Sequence, residues 1–249
     1  KEHGEFILYY NNSQIKFQEN WKNGKEDGRW IGYFEDGTYK GEENWDNGIK
    51  VGYWSFNYES GDKKWDVTYG DEYTKRFYDY GLLEREETYM KTNESYDNGI
   101  LLKWVEYFEN GSIKEIYEKN EQGKYVGESI SYFENGEIKS YRNSVEGKWD
   151  GKIYNYLIWD DGEKQLTTEG EFNLGVGWKT DYYRNGEIKS HKLFNDGERG
   201  LTTDYYRNGQ VQRIINWKNN IFYRDGITKC FKSNGELIGE GLYKDMEEW

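Results

Sequence analysis

The sequence predicts an all-β protein built from repeated antiparallel β-hairpins, and three observations lead to this fold class. Nearly the same stretch returns along the chain, as YFENGSIKE at 107–115, YFENGEIKS at 132–140 and YYRNGEIKS at 182–190. The 249 residues include 30 Gly, 25 Tyr, 11 Trp and 11 Phe, and glycine suits tight turns while aromatic residues suit pleated surfaces. The chain also lacks alanine and proline, although alanine is the strongest helix former.

Each copy aligns on the residue that closes its hairpin turn, which we call the anchor. The anchors are Ser13, Gly37, Gly61, Gly81, Gly111, Gly136, Gly162, Gly186, Gly209 and Gly235. Most lie 23 to 26 residues apart, and self-similarity at such a period indicates an array of supersecondary units. We therefore predict a single array of about ten repeats over residues 1–249, with an irregular segment near 88–104 where the anchors lie further apart.

Three positions relative to the anchor carry the repeat. In one copy, Phe34 lies three residues before the anchor (position −3), Tyr39 two residues after it (+2) and Trp45 eight residues after it (+8). A two-residue Asn-Gly turn would place −3 opposite +2, and an even separation would place +2 and +8 on one strand face. We therefore expect all three positions to line the core, so that Phe133 is buried and its neighbour Tyr132 is partly wet.

A second turn signal follows the outgoing strand, as in Asn23-Gly24 and Asn47-Gly48. Each repeat then consists of a strand, a turn, a strand and a second turn. We expect about twenty strands of roughly five to seven residues in an elongated, twisted, meandering sheet. Because neighbouring strands lie about 4.8 Å apart, such an array could extend on the order of 100 Å.

A second aromatic stripe lies at position −4. Lysine recurs at +3, and strand alternation would place the −4 rings opposite these lysines, on the face away from the core. Two interpretations stay open: lysine stems cover the rings as cross-strand packing, or the rings form a recognition surface. The candidate partner-binding residues, which we call the tyrosine stripe, are Tyr33, Tyr107, Tyr132, Tyr182 and Tyr205.

The charge pattern limits the classes of partner. The formal net charge is −13, which argues against nucleic acid and against anionic membrane lipid, since both attract positively charged proteins. No apolar run approaches the roughly 18 residues that a membrane-spanning helix needs. The single cysteine, Cys230, allows no internal disulfide, so the compartment stays open: cytoplasmic, or exported with a signal peptide removed.

The sequence offers no candidate catalytic, cofactor-binding or metal site. His3 and His191 stand apart from each other and from any cysteine at metal-ligand spacing. Cys230 has no histidine partner nearby that would activate it, which favours a buried or edge thiol. Phosphate-binding loop and kinase signatures are absent. We therefore predict that the protein is not an enzyme and holds no cofactor.

Residues 30–52 give the fullest copy, WIGYFEDGTYKGEENWDNGIKVG. This copy resembles the bacterial variant of the MORN repeat, in which two aromatics, an Asn-Gly turn and Ile-Lys precede a further aromatic and a second Asn-Gly turn. The resemblance extends from about Tyr9 to Tyr243. It implies a chain of hairpins used as an interaction scaffold, and many similar bacterial proteins are labelled antitoxin components of toxin–antitoxin modules. Others carry names taken from phosphoinositide kinases, but this chain has no room for a catalytic domain.

We therefore expect a non-catalytic scaffold that binds an unidentified protein partner, in the manner of an antitoxin, through the tyrosine stripe or a terminal sheet edge. The alternative is a cell-surface carbohydrate-binding module, because residues 177–183, GWKTDYY, resemble the aromatic units of choline- and glucan-binding repeats. Phosphoinositide or other lipid binding fits the net charge of −13 less well. The oligomeric state does not follow from the sequence.

Overall fold

The fold consists of β-strands and turns in the part of the chain that the computed structural model describes. That part comprises residues 1–92, 95–218 and 223–247, with side chains described for 1–91, 99–217 and 227–242. Within it all regular elements are strands, and all strand pairs are antiparallel. The predicted all-β array of hairpins is therefore confirmed. The chain divides into two compact units, Lys1–Gly123 and Lys124–Trp249.

The first unit is a meander of antiparallel strands in which each two-residue strand shares its partner with the strand that follows it. Its strands are β1 (Gly4–Tyr9), β2 (Ile15–Lys22), β3 (Lys25–Glu26), β4 (Gly28–Tyr33), β5 (Tyr39–Asp46), β6 (Ile49–Lys50), β7 (Gly52–Asn57), β8 (Lys63–Tyr69), β9 (Glu72–Asp79), β10 (Leu82–Thr92), β11 (Ser95–Tyr107) and β12 (Ile113–Lys119). The two-residue strands β3 and β6 run on into β4 and β7 after a kink at a glycine with positive φ, 82° at Gly28 and 61° at Gly52.

The second unit repeats this meander. Its strands are β13 (Tyr125–Tyr132), β14 (Ile138–Val145), β15 (Lys148–Trp149), β16 (Gly151–Ile158), β17 (Lys164–Asn173), β18 (Val176–Tyr182), β19 (Ile188–Asn195), β20 (Glu198–Tyr205), β21 (Val211–Ile215), β22 (Trp217–Lys218), β23 (Tyr223–Phe231) and β24 (Leu237–Glu247).

The first turn of the repeat has three loop residues, not the two that the sequence suggested. The anchor N–H donates to the −3 carbonyl, and the −3 N–H donates to the carbonyl at +1. In one copy these bonds run from Gly37 N to Phe34 O (2.9 Å) and from Phe34 N to Thr38 O (2.8 Å). The anchor adopts a left-handed conformation, with φ of 87° at Gly37 and 68° at Ser13. Glycine prevails at the anchor because it enters this conformation without steric cost.

A bulge follows this turn and changes which side chains share a face. Tyr33 pairs with Tyr39, whereas Gly32 pairs with Gly41, so Lys40 is an extra residue in β5. Position −4 therefore lies opposite +2, and the bulge breaks the alternation between +2 and +8. The prediction that −3, +2 and +8 share one core face is wrong. Positions −3, +3 and +8 lie on what we call the ladder face, and positions −4 and +2 lie on the tyrosine face.

The same register recurs in other repeats of both units. It pairs Tyr107 with Ile113, Tyr132 with Ile138, Tyr182 with Ile188, and Tyr205 with Val211. The expected contrast between Phe133 and Tyr132 is also wrong, because both side chains are half-buried. The two rings point to opposite faces, and neither face is more deeply buried than the other at this hairpin.

The two-residue turn that we predicted for the first hairpin occurs at the second turn. Asn47 and Gly48 both have positive φ, 49° and 84°, and Asp46 pairs with Ile49 across them. This is a type I′ turn, for which Asn-Gly is the preferred sequence. The dipeptide Asn-Gly thus serves two different turns within one repeat.

Gly81 belongs to a turn of this second kind. Tyr80 and Gly81 have φ of 45° and 82°, and Asp79 pairs with Leu82. Gly81 is therefore wrongly taken as an anchor, which accounts for the uneven spacing around it. The segment near 88–104 belongs to the two long strands β10 and β11, of 11 and 13 residues, and residues 93 and 94 lie outside the described part.

Where tyrosine occupies position −3, its side chain can join consecutive repeats. Its hydroxyl donates to the −4 carbonyl of the next repeat, from Tyr10 to Tyr33 (3.0 Å), from Tyr183 to Tyr205 (2.7 Å) and from Tyr206 to Phe231 (2.9 Å). Trp159 has no hydroxyl, and here Gln165 completes the link. The Trp159 Nε1 donates to Gln165 Oε1 (2.9 Å), and Gln165 Nε2 donates to the carbonyl of Tyr183 (3.0 Å).

Candidate functional site

Aromatic rings form a continuous ladder on one face of the first unit. Neighbouring ring centroids lie 4.8 to 6.0 Å apart. The rings are those of Trp21, Trp30, Trp45, Trp54, Tyr69, Tyr73 and Tyr89. Most pairs are tilted or edge-to-face, the arrangements that aromatic quadrupoles favour. Trp54 and Tyr73 are 5% and 2% exposed and pack with the fully buried Val67, so the ladder holds the core of this unit.

The ladder leaves little flat ring surface for a sugar to stack on. The indole N–H groups already donate: Trp30 to the carbonyl of Asn20 (2.9 Å) and Trp54 to the carbonyl of Asn44 (2.9 Å). Apart from the buried Trp54, the ladder tryptophans are half-buried, and they meet their neighbours at angles of 49° to 84°. The arrangement suits packing better than carbohydrate recognition.

Two adjoining hollows open on the ladder face of the first unit. One, of about 170 Å³, is lined by side chains that include Phe17, Trp30 and Lys40. The next, of about 330 Å³, is lined by aromatics together with Lys50 and Lys75. Glu43 and Phe56 line both hollows, so the two hollows lie side by side across neighbouring hairpins.

The tyrosine stripe lies on the opposite face, and its neighbours differ from those predicted. Each −4 ring sits across from the +2 side chain; the rings of Tyr33 and Tyr39, for example, lie 6.3 Å apart. The +3 lysines instead cover the −3 rings, as Lys40 does over Phe34 (5.7 Å). The predicted pairing of these lysines with the tyrosine stripe is therefore wrong, because the bulge turns the +3 side chain to the ladder face.

In two residues of the tyrosine stripe, a carboxylate of a nearby strand accepts a hydrogen bond from the hydroxyl group. Tyr107 OH donates to Glu86 Oε2 (2.7 Å), and Tyr182 OH donates to Glu169. Burial, and then the hydrogen bond to the carboxylate, raise the pKa of both tyrosines to about 12. These two hydroxyls therefore stay protonated donors, and all five rings of the stripe are half-buried.

The second unit carries a larger and chemically different hollow on its ladder face. Its volume is about 670 Å³, and it adjoins a further hollow of about 330 Å³ through Tyr183, Arg184 and Arg207. We call it the basic hollow, because its lining has six basic and two acidic side chains: Arg184, Lys189, Lys192, Arg199, Arg207, Arg213, Asp181 and Asp204.

This hollow was not predicted from the sequence, although one signal was present. Position −2 is acidic in several copies, including Glu35, Glu109 and Glu134, but it is arginine at Arg184 and Arg207. Two successive copies thus reverse the charge at the same place in the repeat. Only the strand register shows that these two arginines lie beside the lysines of the ladder face.

The histidine and cysteine residues that were considered as catalytic or metal-binding groups do not form a site together. His191 Nδ1 lies 2.8 Å from Thr180 Oγ1 in a cross-strand pair. Cys230 is exposed, so the expectation of a buried or edge thiol is wrong: its strand is paired on both sides. Among the described residues, no group of three or more His, Cys, Asp or Glu could hold a metal ion. No helix in that part of the chain has the length and apolar character to span a bilayer.

The strands and their pairing place this protein in the class of all-β proteins built from antiparallel hairpin repeats. Five segments match the MORN repeat variant family, at residues 2–23, 26–47, 125–144, 199–219 and 224–245. These five segments are therefore MORN repeats of this variant. The matched segments fall in both units, in agreement with the resemblance of residues 30–52.

Other comparisons add no functional information. No curated protein matches the chain. Two similar solved structures are titled "Crystal Structure of TcdB2-TccC3-Cdc42" and "Crystal Structure of TcdB2-TccC3-TEV", each at 12% identity over 95% of this chain, with TM-scores of 0.22 and 0.23. The chain spans 15% of the length of those chains, and scores this low support no argument about fold or function.

Proposed function

We propose that this protein is a non-catalytic scaffold that binds another protein. The observation that carries the proposal is the pair of adjoining hollows on the ladder face of each unit, which share lining residues and cross several hairpins. Adjoining hollows of this kind suit an extended polypeptide better than a compact metabolite, which is usually enclosed in one pocket. Elongated repeat surfaces are commonly used in this way.

The finer form of the proposal concerns the partner. The resemblance to the bacterial MORN variant implies an antitoxin-like role, so we propose that the partner is a toxin-like protein that is neutralised by binding. Co-expression of the chain with a toxic neighbour from the source genome should restore growth. Growth arrest despite stable co-expression would reject the antitoxin role. The scaffold role would then still be tested by binding assays.

The scaffold role is tested by capture followed by reconstitution. The folded chain is immobilised, proteins enriched from source cells are identified by mass spectrometry, and purified candidates are titrated by calorimetry. We expect one candidate to bind with a negative heat-capacity change, as apolar burial requires. Glycans and anionic vesicles serve as parallel probes. Saturable binding of either, with no purified protein binding, would contradict the proposal.

The tyrosine stripe stays a prediction within this proposal. Tyrosine is favoured at interfaces for its large, rigid and partly polar surface. Stepwise Tyr→Ser replacement at Tyr33, Tyr107, Tyr132, Tyr182 and Tyr205 should weaken partner binding in steps, with only modest salt dependence. Thermal unfolding checks that each variant stays folded. Unchanged affinity in the fully substituted variant would remove the stripe from the binding site.

A further inference from the structure

The basic hollow is a local departure from the charge of the whole protein. The net charge is −13, and the second unit itself has 21 acidic and 18 basic residues. The hollow nevertheless gathers six basic and two acidic side chains. This concentration of positive charge creates a field that the acidic remainder of the chain does not predict.

The two acidic side chains of the hollow are already neutralised. Asp181 contacts Lys192, lies 3.4 Å from Lys179 Nζ and accepts a hydrogen bond from Ser190 (3.0 Å). Asp204 accepts a charge-assisted hydrogen bond from Arg213. Arg184 pairs with Asp161, which lies outside the lining, so Lys189 and Arg207 are among the cations that remain.

Two of the remaining cations lie against one aromatic ring. Arg207 Cζ is 5.7 Å and Lys189 Nζ is 6.0 Å from the ring centroid of Tyr183. Among the described side chains, neither cation forms an ion pair. The ring is fixed by its hydroxyl bond to the carbonyl of Tyr205 (2.7 Å). A guanidinium that contacts a ring keeps its in-plane N–H groups available for a carboxylate or phosphate.

A buried hydroxyl lines the same hollow. Thr202 is 3% exposed, lines the basic hollow, and its Oγ1 has no hydrogen-bond partner among the described residues. Buried polar atoms are nearly always satisfied in folded proteins. This oxygen is itself buried, however, and the same unpaired hydroxyl recurs at Ser129 and Thr228, which do not line the hollow, so Thr202 contributes no contact to a ligand.

We infer that the basic hollow holds an acidic segment of a protein partner, whose carboxylates accept hydrogen bonds from Arg207 and Lys189. This inference rests on the proposed scaffold function and names the chemistry of its partner. A peptide with spaced single charges fits better than a nucleic acid, because a dense polyanion is repelled by the net charge of −13. The hollow of about 670 Å³ continues into the adjoining one at Arg184 and Arg207, which gives an extended segment room to run.

The test uses the full chain and a fluorescent peptide of alternating Glu and Gly, with a Gln–Gly peptide as its neutral match. Fluorescence anisotropy should show saturable binding of the Glu peptide and at least tenfold weaker binding of the Gln peptide. The double variant Lys189→Ala/Arg207→Ala should lose at least about tenfold in affinity, since hydrogen bonds to charged groups contribute strongly.

The matched control is Lys139→Ala/Arg142→Ala, which removes the same charges from the same unit. Lys139 occupies the same repeat position as Lys189, and neither control residue lines the basic hollow. The control should bind the Glu peptide as the parent does. Equal weakening in both double variants would show diffuse charge attraction and overturn the inference. Tighter binding of an oligonucleotide of equal charge, or displacement of the peptide by an equal concentration of inorganic phosphate, would also overturn it.

This experiment separates the inference from the scaffold proposal. A purified protein partner that binds the parent and Lys189→Ala/Arg207→Ala equally well would refute the acidic segment and leave the scaffold intact. A second outcome is that no protein partner is found, while the double variant still loses binding of the Glu peptide. This would refute the scaffold proposal and show only that the hollow binds anions. A partner whose affinity falls only in the hollow variant supports both.

Discussion

At the residue scale, the asparagine before the anchor joins two turns with one side chain. Asn208 Oδ1 accepts the N–H of Gln210 (3.2 Å), and its Nδ2 donates to the carbonyl of Ser233 in the next turn (2.8 Å). The first bond is a local turn device that aspartate can also supply. The second needs the amide, so asparagine contributes to stacking as well as to turning.

Replacing Asn208 with Asp should therefore weaken the fold. The acceptor bond survives, but a carboxylate then faces the carbonyl of Ser233. We expect a loss of roughly 1 kcal/mol in the free energy of unfolding, measured by chemical denaturation. Asn234→Asp is the control: its oxygen makes the same local bond, to Glu236 N (3.0 Å), and its amide reaches no other turn among the described residues. Equal losses in both variants would reject the bridging role.

Asp181 gives the second residue-scale prediction. Burial by itself would raise its pKa, but the hydrogen bond from Lys192, with Lys179 and Thr168, lowers the pKa to about 2. Because the folded pKa lies below the unfolded value of about 3.9, this carboxylate stabilises the fold above about pH 4 and loses that effect as pH falls towards 2. Unfolding free energies of the parent should drop more over this interval than those of Asp181→Asn. Parallel pH curves would contradict the assignment.

At the element scale, the sequence predicted the strands, their antiparallel pairing and the repeat, but not which side chains share a face. Asn-Gly is compatible both with a two-residue type I′ turn and with a three-residue loop that ends in a left-handed glycine. The choice moves the partner of Tyr39 from Phe34 to Tyr33. The bulge at Lys40 then depends on backbone hydrogen bonding, and no residue type in the repeat predicts it.

The half-buried state of both aromatic stripes leads to an element-scale prediction. Phe133→Ala and Tyr132→Ala should lower the denaturant midpoint by similar amounts, since each ring is half-buried and loses comparable packing. Lys164 lies 5.9 Å over the Phe133 ring, while Tyr132 sits opposite Ile138. The exposed Glu134→Ala is the control and should change little. A far larger loss for Phe133→Ala alone would favour the single core face that the sequence suggested.

At the scale of the whole molecule, two faces of different chemistry run through the repeats of both units. The ladder face carries the aromatic core of the first unit and the basic hollow of the second. Charge is distributed unevenly, with 26 acidic and 16 basic residues in the first unit against 21 and 18 in the second. The repeat pattern predicted the tyrosine stripe as a candidate site. It could not predict the basic hollow, because its lining comes from several strands brought together by the register.

Double-mutant cycles measured in both units test most directly which repeat positions share a face of the sheet. Tyr33 and Tyr39, with ring centroids 6.3 Å apart, should show a coupling energy of about 0.5–1 kcal/mol. Phe34 and Tyr39 should show almost none. In the second unit, the pair Tyr182 and Ile188 should couple, and Tyr183 and Ile188 should not. Coupling between −3 and +2 in both units, without coupling between −4 and +2, would contradict the two-face arrangement.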